Sequence, residues 1–256
     1  MNRDLLFPIC AILILVGAWH VSVAYFGIPA YLMPPPVEVV KRLWLDAGYL
    51  LGHSVATLLT TLGGFVLSVV VGVPLGMALV ASRILDRAIM PLLVVSQSFP
   101  KVAIAPLIVI WFGLGFFPKI LIAFSVAFFP VVVGTVAGMK SLEPDMIDLA
   151  RSMQATQIKT FLRIRLPFAM PQILSGVKVA VAFSTVGAVV GEWVGADKGL
   201  GYLLLWSNAN LDTPLLFAVL LCLMVIGLLL YYAVEFLERR LIPWHVSVRA
   251  DELQLI

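Results

Sequence analysis

Residues 140–167, KSLEPDMIDLARSMQATQIKTFLRIRLP, decide how this chain folds. The whole sequence is only 12% charged, yet this stretch holds Lys140, Glu143, Asp145, Asp148, Arg151, Lys159, Arg163 and Arg165. Apolar runs long enough to cross a bilayer flank it on both sides, so an insert this polar belongs in water. Its pattern is helical. Pro144 suits a first helical position, where its missing N–H costs nothing. Met146, Ile147, Leu149, Ala150 and Met153 then share one helical face. Thr156 is placed to cap a second short helix over Ile158, Phe161, Leu162 and Arg165, which Pro167 is expected to stop. Two amphipathic helices therefore meet near Gln154–Thr156. One apolar face rests on the rest of the chain, and a second, apolar or mixed, stays open to a partner.

Outward from this insert the chain is 62% hydrophobic over 256 residues, with mean hydropathy +1.07. Such usage lies far outside that of soluble domains and defines an all-α polytopic membrane protein, read as a single transmembrane domain over 1–256. Cys10 and Cys222 sit in apolar runs and read as small core residues. The net charge of +3 says nothing of nucleic acid, and no nucleic-acid partner is expected; in a membrane protein Lys and Arg report topology.

Six spans are expected, near 5–28, 54–81, 88–115, 118–139, 171–194 and 213–237, with the charged loop at 140–167. The first resembles a secretory signal in Arg3 and Ser22-Val23-Ala24, but its length and its aromatic end (Trp19, Tyr25, Phe26) favour a retained span. Pro34–Pro36 force an extended approach to a short amphipathic helix, Val37–Asp46, with Val39, Val40, Leu43 and Trp44 on one side. Gly72 and Gly76 in the second span, Gly134 and Gly138 in the fourth, and Gly187 and Gly191 in the fifth read as close-packing faces, with a kink at Pro74. The third span is broken near Ser96–Lys101, because Pro100 and Pro106 remove backbone donors at membrane depth. A short surface helix is expected within 195–212. With both termini in the cytoplasm, Arg3, Arg83, Arg87, Lys140, Arg151, Lys159, Arg163, Arg165, Arg239, Arg240 and Arg249 fall inside. Only Lys41, Arg42, Lys119 and Lys198 fall outside, which supports that orientation and a cytoplasmic loop.

Few residues are placed to act on a solute. Lys101 near mid-span costs roughly 2.5–3.5 kcal/mol to insert, so it should face a cavity or a partner; the alternative is a lysine that snorkels or satisfies the backbone freed by Pro100. Gln97 and Ser98 lie within about a turn of it. Lys178 lies closer to the loop end of its span and reads as snorkelling to the headgroups. Glu192, near the outer end, either belongs to an outer gate or pairs with Lys198. The sequence holds no G-x-x-x-x-G-K-[ST] loop, no H-E-x-x-H and no G-x-S-x-G. His20, His53 and His245 sit at span ends without metal spacing. Neither catalytic nor metal residues nor cofactors are expected, so the chain is not read as an enzyme. Asp148 and Arg151 lie one turn apart, as a surface ion pair or as a partner contact.

The loop resembles the "EAA" loop of bacterial ABC importer permeases: E-A-A, three residues, Gly, nine residues, Ile, one residue, Leu-Pro. Asp148-Leu149-Ala150 stands at the first positions, Gln154 at the glycine, and Ile164, Leu166 and Pro167 at the end. Gln154 replaces the residue that most easily takes positive φ. Met33–Pro36 resembles the family's LPxP stretch. Pro100, Ala103, Pro106, Leu107, Trp111, Phe112, Gly113 and Gly115 resemble a P-x-x-A-x-x-P-L-x-x-x-W-F-G-x-G stretch of nitrate/sulfonate/taurine-type permeases. The resemblance implies a type I importer permease in the inner membrane, a homodimer with two ATPase subunits and an extracytoplasmic binding protein. It implies coupling to the ATPase through Glu143, Asp145, Asp148, Leu149, Ala150, Arg151, Met153, Gln154, Ala155, Ile164, Leu166 and Pro167; the polar residues singled out above, Gln97, Ser98, Lys101 and Glu192, are then the candidates for its translocation path or gate. The segment GEWVGADKGLGYLLL and the turn at Leu211–Pro214 lean toward permeases for thiamine-precursor pyrimidines or related ring compounds, whereas Lys101 suits a sulfonate or nitrate-type anion. The competing class is a self-contained secondary transporter or channel, which needs coupling acids in the membrane.

Overall fold

The computed structural model describes residues 3–244; the expectations for His245 and Arg249 lie outside them. Eleven α-helices are described. They are α1 (Arg3–Phe26), α2 (Pro36–Leu45), α3 (Ala47–Ala81), α4 (Arg83–Ser98), α5 (Lys101–Phe112), α6 (Phe116–Lys140), α7 (Pro144–Ser152), α8 (Gln157–Thr160), α9 (Leu166–Gly195), α10 (Leu200–Ala209) and α11 (Thr213–Leu241). Five of these stretches are long and apolar enough to cross a membrane, and a sixth forms if α4 and α5 count together.

The centre is α6, flanked by α3 and α9. Ile122, Ala123, Ala127, Val131 and Val132 of α6 are fully buried. Lipid tails are as apolar as leucine, so burying apolar surface does not drive helices together in a bilayer; close van der Waals packing does. Glycine supplies it here. A Cβ on Gly134 would lie 2.9 Å from the Gly176 Cα, and one on Gly72 would lie 2.9 Å from Val131 Cγ1. The close-packing faces expected at Gly72, Gly76, Gly134, Gly138, Gly187 and Gly191 all meet a neighbouring helix. Two buried serines bond to backbone carbonyls: Ser68 Oγ donates to the Gly64 carbonyl at 2.7 Å, and Ser184 Oγ to the Thr61 carbonyl at 2.7 Å. Outward faces expose residues such as Leu13, Ile14, Val70, Ile110 and Leu229, as contact with lipid requires.

Several boundaries differ from expectation. The second span begins at Ala47, not 54, so His53 lies inside a helix and is buried. The third span is two helices bent by 99° at Phe99-Pro100. Neither residue can continue α4, since Pro100 has no N–H and biases Phe99 to extended geometry. Pro106, by contrast, is accommodated inside α5. The expected stop at Pro167 does not occur. Helical backbone runs from Gln157 through a π-helical turn, Phe161–Arg165, into α9, so the fifth span starts before 171. The Leu166 N–H bonds the Phe161 carbonyl, and this wider turn relieves the clash a proline ring makes with the carbonyl four residues back. The α2 face also splits. Val39 is buried against the bundle while Val40 and Trp44 point outward.

Candidate functional site

At one end of the bundle the 140–167 insert forms a braced hairpin. α7 starts at Pro144, and Thr156 Oγ1 caps α8 by accepting from the Lys159 N–H at 3.4 Å. The turn between them closes as a Schellman motif, with the Ala155 N–H on the Ala150 carbonyl at 3.0 Å and Gln154 in the left-handed region at φ +57°. The glutamine thus takes the conformation expected of the glycine it replaces. Two contacts fasten the hairpin's base. Lys140 Nζ pairs with Asp86 Oδ2 of α4 at 2.7 Å, and Arg165 Nε donates to the Met139 carbonyl at 3.2 Å.

The apolar face expected on α7 divides in two. Leu142 and Ala150 are buried and Ile147 half-buried against the body of the protein. Met146, Leu149 and Met153 project outward, Met153 with 75% of its surface exposed, and Ile158 and Leu162 continue the exposed patch. Around it Glu143, Asp145 and Asp148 are exposed, as is Gln154, whereas Ala155, Ile164, Leu166 and Pro167 are half-buried. Arg151 lies in α7, but its side chain, and with it the expected pairing with Asp148, lies outside the described residues.

Deeper in the bundle a cavity of about 670 Å³ opens between the α4–α5 break and the faces of α6 and α9. Lys101 Nζ donates to Gln97 Oε1 at 2.8 Å on its wall. Phe99, Phe129 and Phe183 supply aromatic walls, with Gln172 and Ser175 of α9 adding polar groups. Gln97 and Lys101 are therefore brought together; Ser98 is exposed and not part of this lining. The proline break lets a membrane-depth lysine reach a cavity instead of lipid.

Lys178 does not snorkel. Its Nζ pairs with Glu238 Oε2 of α11 and lies 5.6 Å from the centre of the Tyr231 ring. Two charges in adjacent apolar spans neutralise one another, and neither sequence position alone shows its partner.

At the opposite end, Glu192 is 1% exposed. Its Oε2 accepts from Thr57 Oγ1 at 3.0 Å and from the Gly201 N–H at 2.7 Å. Thr57 Oγ1 accepts from the Leu200 N–H at 2.7 Å, and His53 Nδ1 from the Gly199 N–H at 3.0 Å. Among the described residues no ion pair joins Glu192 to Lys198, which is exposed. His53, expected at a span end, and Thr57, given no role in the sequence, belong to this cluster; their i, i+4 spacing on one helix face was a usable signal. No group of metal ligands occurs among the described residues.

Long apolar helices, glycine-mediated contacts, a largely apolar cavity with a Lys–Gln pair on its wall and a braced hairpin with an apolar outer face together define a polytopic transport permease. Residues 64–243 match the family described as binding-protein-dependent transport system inner membrane component. The chain is 37% identical over 246 residues to a probable ABC transporter permease of Haemophilus influenzae, covering 96% of this chain and 100% of the relative. It is 36% identical to the formylaminopyrimidine transport permease ThiX of Halalkalibacterium halodurans (93% of this chain, 95% of the relative). It is 38% identical to the riboflavin transport permease RibX of Chloroflexus aurantiacus (94% and 90%). In fold it is similar to a chain of the inward-facing MetNI methionine ABC transporter, with TM-score 0.67 at 20% identity, covering 75% of this chain and 95% of that one. The chain belongs to the binding-protein-dependent transport system inner membrane component family, and is the permease subunit of an ABC importer.

Proposed function

We propose that two copies of this chain pair in the inner membrane, with both termini in the cytoplasm, and that an ATPase subunit grips the 140–167 hairpin of each. The excess of Lys and Arg at the hairpin end supports this orientation. The observation that carries the reading is the outward stripe of Met146, Leu149 and Met153 on a helix ringed by charge. An apolar patch that faces neither lipid nor the protein's own core marks a protein partner.

ATP binding closes the ATPase pair and moves the hairpins. Because the hairpin is braced at Asp86 and Met139 and runs without a stop into α9, its displacement turns the spans as levers. An extracytoplasmic binding protein delivers solute to the outer side, the solute passes along Gln97 and Lys101 with Glu192 near the outer end, and hydrolysis resets the inward state. For the solute, the aromatic walls around the Lys101–Gln97 pair suit a small ring compound of the pyrimidine or flavin kind with a hydrogen-bonding edge. Relatives named for formylaminopyrimidine and riboflavin support this over a small aliphatic sulfonate.

The test is uptake into proteoliposomes holding this chain with its ATPase and binding protein. Uptake of a formylaminopyrimidine or of riboflavin that stops when vanadate blocks the ATPase is expected. Uptake that continues without any ATPase would instead identify a self-contained secondary transporter or channel.

A further inference from the structure

The Glu192 cluster does more than fill the outer end of α9. α10 has ten residues, and its first N–H groups lack intrahelical partners, as at any helix start. Here they are satisfied from other helices: Gly199 by His53 and Leu200 by Thr57, both of α3, and Gly201 by Glu192 of α9. Thr57 in turn donates to Glu192, so α3, α9 and α10 are joined through one buried oxygen. The attachment depends on two glycines. A Cβ on Gly201 would press on the Val189 carbonyl at 2.7 Å, and Gly199, at φ +128°, lets the chain reverse directly over the carboxylate. Leu200 and Leu203 are fully buried beneath the same helix. Tyr202 stacks on the His53 ring, 6.1 Å between centres and 9° between planes.

We propose that Glu192 is a positioning residue that locks α10 to α3 and α9, so that the outer helix travels as one body with the ATPase-driven lever and does not swing as a separate flap. This rests on the importer reading above. α9 alone is 30 residues, about 45 Å at 1.5 Å per residue, and begins at the hairpin's base. The latch at its far end therefore places hairpin and outer helix on the two ends of one rod. Contact of the binding protein with the α10 side and the ATPase stroke on the hairpin side are then mechanically a single event.

The experiment uses the full transporter in proteoliposomes, with Cys10→Ser and Cys222→Ala as background. Spin labels go on Asn208→Cys of α10 and Leu51→Cys of α3, both exposed, diluted with unlabelled chain. Electron–electron distances are read in the resting and vanadate-trapped states. One narrow distance, unchanged between states, is expected. Glu192→Ala should broaden it and abolish the stimulation of ATP hydrolysis by the binding protein, and Glu192→Gln, which keeps an acceptor oxygen, should restore both. A distance that changes between states in the parent protein would overturn the lock, as would a Glu192→Ala variant that stays narrow. If Glu192→Ala does not fold, Thr57→Val is judged by the same two criteria. Failure to form any vanadate-trapped state would overturn the importer reading itself, and so is distinguishable from a trapped state in which α10 swings.

Discussion

Gln154 holds φ +57° at the one turn on which the hairpin depends. A side chain there costs on the order of 1–2 kcal/mol relative to glycine, because Cβ crowds the following carbonyl. Gln154→Gly is therefore expected to leave uptake intact and to raise the melting temperature slightly, read by thermal denaturation of the purified protein. Loss of uptake would show that the glutamine side chain, not its backbone, builds the turn. Lys101 makes the complementary case, in which charge and not conformation matters. Its ammonium is held by Gln97 on a cavity wall, so Lys101→Met should change uptake rate or substrate range while leaving expression and assembly unaltered. Kinetics identical to the parent would return Lys101 to a structural role.

Among elements, the joint between α6 and α9 is the tightest. Gly134 and Gly176 meet backbone to backbone, so Gly176→Val must push the helices apart, an overpacking cost of about 1–3 kcal/mol. The thermal melt should fall accordingly, whereas Gly17→Val, which meets nothing within 4 Å, should not move it. The Lys178–Glu238 pair ties α9 to α11. Either single change, Lys178→Met or Glu238→Leu, should destabilise by up to about 3 kcal/mol, and the double change should recover much of it, since one stranded charge is worse than none. These elements also show what periodicity can carry. The glycine spacings and the proline break near Pro100 were readable because each acts on its own backbone. The pairing of Lys178 with Glu238 was not, because sixty residues separate charges that only packing brings together. Pro167 misled for a related reason. A proline signals the loss of one donor, but the π turn that absorbs the loss depends on how Phe161–Arg165 seats against the bundle.

For the whole molecule, the proposed coupling requires a hairpin that moves with the spans and is gripped by a partner. Its outline was legible in residues 140–167, down to the cap at Thr156. The division of its apolar face was not, since Ile147 and Ala150 turn inward while Met146 and Leu149 turn out, and all four fit one helical stripe in sequence. Replacing Leu149 and Met153 together with Asp should weaken co-purification of the ATPase and uncouple uptake while leaving the membrane fold and its melt unchanged. The most direct test places a photo-crosslinker at Met153 in cells that also make the ATPase. An adduct between this chain and the ATPase, formed from the cytoplasmic side, is expected. No adduct, together with modification of a Met153→Cys variant by a membrane-impermeant thiol reagent from the periplasm, would contradict the proposed coupling.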